Sequence, residues 1–266
     1  MSDHKVPARA GHEAIGAAIR AANARGGPAL VGFLTGGFPK RERFREDLAR
    51  VAASADVVEI GIPFTDPMAD GMTIQRASHG ALVQGVTLRW IVEELTAITP
   101  RPTAPLIVMS YLNPLLAYGL DRLPQALRAA GVSGVIVPDL PFEECADLKA
   151  ALNSEGVGLV QMVTPVTPPD RLALLCGECQ GFVYAVTMTG TTGKSAMVPE
   201  EVLGYLRRVR AVAKIPVCAG FGIRSREQVA LLGGHVDGVV VGSALVEVLE
   251  RGEDPTTFLQ GLRVGN

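Results

Sequence analysis

Two carboxylates eleven positions apart, Glu59 and Asp70, could between them move protons at two atoms of one substrate. Glu59 lies inside the apolar run Asp56-Val57-Val58-Glu59-Ile60-Gly61. In such a strand an ionised carboxylate is costly unless it is paired or otherwise compensated. One reading is a buried ion pair that ties the fold together. The other is a carboxyl whose pKa is raised by desolvation, able both to give and to take a proton near neutrality. Asp70 closes a stiff polar connection, Ile62-Pro63-Phe64-Thr65-Asp66-Pro67-Met68-Ala69-Asp70-Gly71, that is longer than an ordinary βα turn. A helical pattern starts near Thr73, so Asp70 is either a helix cap or turn former, or a second acid–base group facing Glu59.

The other residue types prune the chemistry. His4 and His12 lie near the N-terminus, His79 in a helical pattern and His235 before a strand, so none is placed to assemble a metal site beside the carboxylates. A Schiff-base mechanism wants a lysine near the end of a strand, whereas Lys194 falls in a loop and Lys214 precedes a strand. Cys176 and Cys179 form a CxxC with no second pair or His cluster to support zinc, and they read as ordinary packing. Three strand ends carry glycine-rich turns: Gly190-Thr191-Thr192-Gly193, Gly220-Phe221-Gly222 and Gly242-Ser243. Glycine lets backbone N–H groups approach an anion, and a following helix N-terminus adds a favourable dipole. These features point to proton transfer without metal or cofactor on a phosphorylated substrate.

The elements that must position these residues repeat along the chain. Val- and Ile-rich runs at 29–34, 56–61, 106–111, 134–137, 157–163, 182–186, 215–219 and 238–241 are apolar on both faces, as buried parallel strands are. Amphipathic stretches alternate with them at 43–53, 88–98, 123–130, 143–152, 200–212 and 226–232, with shorter ones at 170–175 and 244–249. Eight such units close most simply into a single (β/α)8 TIM barrel, and the segment 12–25 reads as an extra N-terminal helix over its bottom. No linker or composition shift divides the chain, so residues 1–266 are expected to form one domain. Functional groups in a barrel sit at the C-terminal strand ends. Asp56 and Asp237, which precede their strands, therefore belong to the stabilising face.

A chain of 266 residues with 48% hydrophobic and 20% charged residues can bury a large core. Its net charge of −2 gives no reason to expect nucleic acid or an anionic membrane as partner. No apolar run approaches a membrane span, and the N-terminus lacks the apolar core of a secretory signal, so a cytoplasmic location is expected.

The motif Val58-Glu59-Ile60-Gly61-Ile62-Pro63-Phe64-Thr65-Asp66-Pro67-Met68-Ala69-Asp70-Gly71 resembles the signature of the tryptophan synthase α-subunit family. Phe33-Leu34-Thr35-Gly36-Gly37, Tyr111-Leu112-Asn113-Pro114, Val137-Pro138-Asp139-Leu140-Pro141 and Thr167-Pro168-Pro169-Asp170-Arg171 fall where that family has similar segments, as do the three glycine turns. The resemblance implies retro-aldol cleavage of indole-3-glycerol phosphate to indole and glyceraldehyde 3-phosphate. Glu59 would then exchange protons with indole C3 and the glyceryl hydroxyl, and Asp70 would stabilise charge at the indole N–H. Gly193, Gly222, Gly242 and Ser243 would hold the phosphate, with Phe33, Tyr184, Thr192 and Phe221 lining the pocket. No cofactor is expected in this chain. Pyridoxal phosphate would belong to a separate β subunit, the expected partner in an αββα complex.

Two positions depart from the family pattern: Phe38 stands where many members carry Asp, and Met72 where Pro is usual, in the loop expected to face the β subunit. A stand-alone indole-3-glycerol phosphate lyase and a silent barrel that only activates a β subunit are the competing readings, and the presence of both carboxylates disfavours the second. The Gly- and Thr-rich stretch 189–198 is expected to act as a lid.

Overall fold

The computed structural model describes residues 11–187, 198–220 and 222–264. Its strands are β1 (Ala29–Thr35), β2 (Val57–Gly61), β3 (Leu106–Met109), β4 (Val132–Ile136), β5 (Gly158–Val160), β6 (Met162–Val163), β7 (Val183–Val186), β8 (Val217–Gly220) and β9 (Gly238–Val241). All pairings are parallel, in the order β5-β4-β3-β2-β1-β9-β8-β7-β6. The two ends of that order, β5 and β6, are consecutive pieces of one strand parted only at Gln161, so the sheet closes on itself. This is the expected eight-unit barrel, with the fifth strand broken.

The break has a local cause. The Gln161 N–H donates to the Cys179 sulfur at 3.0 Å, while its carbonyl accepts from the Tyr184 N–H at 3.0 Å. One side of the backbone at Gln161 therefore stays in the β6–β7 ladder and the other leaves it for a thiol. Cys179 is thus a structural acceptor and donor, its thiol also reaching the Phe182 carbonyl at 2.8 Å. All four cysteines are buried.

Strand register determines which residues share the interior. Phe33 of β1 pairs with Glu59 of β2, and Glu59 with Ile107 of β3. Tyr184 of β7 pairs with Cys218 of β8, and Cys218 with Gly238 of β9. Because side chains alternate along a strand, Phe33 and Thr35 face the same way, as do Glu59 and Gly61.

The leading helix (Glu13–Ala24) buries Ile15, Gly16, Ile19 and Ala22. Ile15 packs so closely beneath β4 that a Cβ on Gly134 would lie 2.8 Å from its Cδ1. The helix C-terminus is held by the Asn23 amide, which donates to the Asp237 carbonyl at 2.7 Å and to the Gly27 carbonyl at 3.1 Å. It does close the bottom of the barrel, as its apolar stripe predicts.

The same end carries the two aspartates that precede strands. Asp56 binds Arg25 at 2.5 Å and Arg263 at 3.0 Å and accepts the Leu30 N–H at 2.9 Å. Asp237 accepts the Val217 N–H at 2.8 Å and pairs with Arg210 at 3.2 Å. Both are structural ties, far from the opposite mouth. Asp56→Ala should lower unfolding free energy by about 2 kcal/mol, because it strands a backbone N–H and two guanidinium groups. Chemical denaturation checks the loss, and turnover of the folded variant should stay unchanged.

Candidate active site

Glu59 is fully buried, and neither carboxyl oxygen has a hydrogen-bond partner among the described residues. The ion pair that would make it merely structural is therefore missing there. Burial, reinforced by the like charge of Asp70, pushes its pKa up to about 8. The carboxyl is thus largely protonated at neutral pH, the state in which it can donate.

Gly61, two residues on and on the same face, opens the space above it. A Cβ at Gly61 would stand 2.5 Å from Cζ of Phe33, so only glycine lets that ring lie across the end of β2. The resulting cleft has apolar walls from Phe33, Ile62, Ile74 and Met109, and polar groups from Thr35, Asp70, Ser78 and Tyr111. Such a mixture of apolar walls and convergent polar groups suits an aromatic ligand bearing one or two polar atoms.

The loop after β2 is anchored at several points. Phe64 donates its N–H to the Ser78 hydroxyl at 2.7 Å, and that hydroxyl donates back to the Phe64 carbonyl at 2.9 Å. The Gln75 amide donates to the Asp70 carbonyl at 2.8 Å. Tyr111 stacks on Phe64 with ring centroids 5.2 Å apart. Its hydroxyl accepts the Ala69 N–H at 2.9 Å and donates to Asp70 Oδ2 at 3.1 Å. Asp70 does not cap the following helix (Met72–Val83), whose N-cap is Gly71 without a side-chain bond. Its carboxylate faces the cleft instead, and burial raises its pKa to about 6 against the lowering effect of the Tyr111 bond.

Tyr111 belongs to a sequence segment singled out above, but its role depends on contact with a loop about forty positions away and carries no local signal. Tyr111→Phe should leave Asp70 without its donor among the described residues and raise its pKa further. The acid limb of the pH–rate profile should then move upward, with kcat/KM at pH 7 falling roughly 10-fold. An unmoved acid limb would remove Tyr111 from this role.

On the opposite wall, Tyr184 approaches Gly220 so closely that a Cβ there would be 2.8 Å from the phenol oxygen. Burial drives its pKa well up, with the charges of Glu59 and Asp70 adding to the effect. The barrel thus brings Phe33, Glu59, Asp70 and Tyr184 around one interior.

Among the glycine turns, Gly222 has φ of +52°, a conformation that glycine adopts without strain. Gly242 is the N-cap of the helix Ser243–Glu250, and Phe33 Cβ lies 4.0 Å from where a Cβ of Gly242 would be. The Phe33 strand therefore connects the Asp70 cleft to this helix N-terminus, whose first N–H groups lack intrahelical partners. The helix is in turn tied to Met72–Val83 through Thr73 on Glu247 and Arg76 on Glu250, and to the loop after β8 through Arg224 on Glu247. Thr192, Gly193 and Phe221 lie outside the described residues, as do residues 189–197 of the expected lid 189–198. Among the described residues, no group of three or more His, Cys, Asp or Glu could hold a metal ion, and no helix is long and apolar enough to cross a membrane.

Phe38 and Met72, the two departures from the family pattern, are placed differently. Phe38 is buried against Gly80, where a Cβ would meet its ring at 3.0 Å. Met72 and Met68 are both 81% exposed beside the Asp70 loop.

The profile of the tryptophan synthase alpha chain family matches residues 19–264. The tryptophan synthase alpha chain of Nitratidesulfovibrio vulgaris strain DP4 is 45% identical over 243 residues, covering 91% of this chain and 95% of that one. That of Bacillus mycoides is 43% identical over 233 residues, 87% of this chain and 90% of that one. Among solved structures, an open form of tryptophan synthase from M. tuberculosis superposes with a TM-score of 0.84 at 34% identity, covering 95% of this chain and 99% of that chain. A structure described as the mutually activating tryptophan synthase α2β2 complex of Pyrococcus furiosus gives 0.83 at 33% identity, covering 89% and 98%. Sequence relatives and barrel neighbours agree over almost the whole chain, and the chain belongs to the tryptophan synthase alpha chain family.

Proposed function

We propose that this chain cleaves indole-3-glycerol phosphate to indole and glyceraldehyde 3-phosphate, with Glu59 as its acid–base group and Asp70 as the carboxylate that stabilises charge at the ring N–H. Glu59 carries the reading: it is a fully buried carboxyl with no hydrogen-bond partner among the described residues, and it shares an interior with a second carboxylate. Protonated Glu59 gives its proton to C3 of the indole ring, which leaves positive charge on the ring system, and Asp70 stabilises that charge at the ring N–H. The bond from C3 to the glyceryl carbon then breaks, and its electron pair restores the aromatic ring. The hydroxyl on that carbon loses its proton to the Glu59 carboxylate and becomes the aldehyde. One proton is given and one taken, so Glu59 ends as it began.

Phe33 and Tyr184 supply aromatic walls. Gly193, Gly222, Gly242 and Ser243 are proposed to take the phosphate with backbone N–H groups at the Ser243–Glu250 helix N-terminus, Thr192 and Phe221 completing the pocket. No cofactor of its own enters these steps. The chain is proposed to act as one domain and to partner a β subunit that carries pyridoxal phosphate, in an αββα arrangement in the cytoplasm. The exposed Met68 and Met72 beside the Asp70 loop suit such a contact.

The test is indole formation by the purified chain from indole-3-glycerol phosphate, with and without a β subunit. Indole release that rises on adding the partner supports the reading. High release that ignores the partner would instead fit the stand-alone lyase, and none in either condition would fit the silent barrel.

A further inference from the structure

Thr35 ends β1 on the face it shares with Phe33, and its backbone pairs with that of Gly61. Its side chain lines the same cleft as Asp70 and is only 2% exposed. Yet the hydroxyl has no hydrogen-bond partner among the described residues. A threonine in a strand end ordinarily spends its hydroxyl on a nearby carbonyl or on water. Leaving it unpaired inside the protein costs stability that valine, of the same shape, would not cost. The other hydroxyls of the cleft are engaged: Ser78 is bonded to the Phe64 backbone and Tyr111 to Ala69 and Asp70. Among the described residues, Thr35 carries the one hydroxyl of this cleft that has no hydrogen-bond partner.

Its position narrows the ligand atom. Phe33, Ile62, Ile74 and Met109 give the cleft apolar walls that take the flat ring half of a ligand, and the ligand's polar atoms that meet Thr35 and Asp70 there belong to that half. Asp70 has one oxygen, Oδ2, occupied by Tyr111. We infer that Thr35 Oγ1 is a further substrate contact, accepting, together with Asp70, a hydrogen bond from the N–H of a bound aromatic heterocycle and so selecting for rings that carry that donor. The inference rests on the proposed indole-releasing activity for the identity of the ring. The selectivity follows from the unpaired oxygen: a ring with N–H satisfies it, whereas a ring without one leaves it unpaired.

The experiment compares wild type with Thr35→Val, Thr35→Ser and Thr35→Ala, using two readouts. Calorimetric titration measures binding of indole and of indene, the same fused rings with CH2 in place of N–H. Steady-state kinetics measure indole release. Thr35→Val should lower kcat/KM roughly 10- to 50-fold and reduce the indole-over-indene preference about 10-fold, with a melting temperature equal to or above wild type. Thr35→Ser should stay within about 3-fold of wild type in both readouts, and Thr35→Ala should follow valine if valine fails to fold. An unchanged indole-to-indene ratio in Thr35→Val or Thr35→Ala overturns the contact, as does a wild type that binds both rings equally. A wild type that binds indole selectively but releases none from indole-3-glycerol phosphate would overturn the proposed reaction and leave the Thr35 contact standing.

Discussion

Glu59→Gln should abolish indole release, lowering kcat about 10³-fold while the barrel folds normally, since a positioned acid–base group contributes roughly 10² to 10⁴ in rate. The amide has nearly the volume of the carboxyl and fits the same space between Phe33 and Ile107. What it lacks is a proton it can release and regain. Removing the carboxyl breaks no hydrogen bond among the described residues, so no structural debt confuses the result. Melting temperature should hold or rise, which distinguishes this from a residue that merely supports the barrel. Glu59→Asp offers a graded check: the carboxyl stays but retreats by one methylene, and near-attack geometry is sensitive to displacements of that size. Its rate should fall between the two. A Glu59→Gln variant keeping more than a tenth of the wild-type rate would mean that another group carries the proton.

Much of the frame was legible because buried parallel strands announce themselves as Val- and Ile-rich runs, and the β1, β2 and β9 runs need no context to be read that way. The fifth strand reads as continuous from 157 to 163, yet it breaks at Gln161 because a backbone N–H there goes to Cys179, a bond between residues that no local pattern links. The short helix Leu112–Tyr118 hides behind a proline and only seven residues, too few for a clear period. The helix Pro255–Leu262 did carry a start signal, Asp254 accepting from the Thr256 and Thr257 N–H groups with proline at the first turn, but it lies beyond the last barrel unit that the repeat demands.

The site shows the same division. Glu59 stands out in sequence because a carboxylate in an apolar strand is an energetic anomaly. Asp70 stayed ambiguous, since Asp-Gly before a helix fits a cap equally well, and only the placement of Gly71 as N-cap resolves it. Tyr111 and Thr35 are commonplace residues at strand ends. Their meaning lies entirely in what faces them across the barrel, and no spacing encodes that.

The second large effect is a dependence of stability on pH that runs opposite to the usual carboxylate. Glu59 has a folded-state pKa of about 8 against an ordinary value of 4.5, so between these limits the folded chain holds a proton that the unfolded chain has released. Stability from this group is fully present below pH 4.5 and is lost as pH rises through 8. At about 1.4 kcal/mol per pH unit, the loss by neutrality is about 3 kcal/mol. Glu59→Gln has no such proton, so the wild-type unfolding free energy minus that of the variant should decline steadily from pH 5 to pH 8. Asp70, raised to about 6, contributes in the same direction in both proteins and cancels from the difference, apart from its repulsion of Glu59. The same pair shapes catalysis: Glu59 must be protonated and Asp70 ionised when substrate arrives. The kcat/KM profile should therefore be a bell with limbs near pH 6 and pH 8, reported as macroscopic values of the coupled pair. Urea titrations of both proteins at four pH values would decide the matter. A flat or rising difference would place Glu59 in an ionised, compensated state, and the proton that the reaction needs at ring carbon would then have to come from elsewhere.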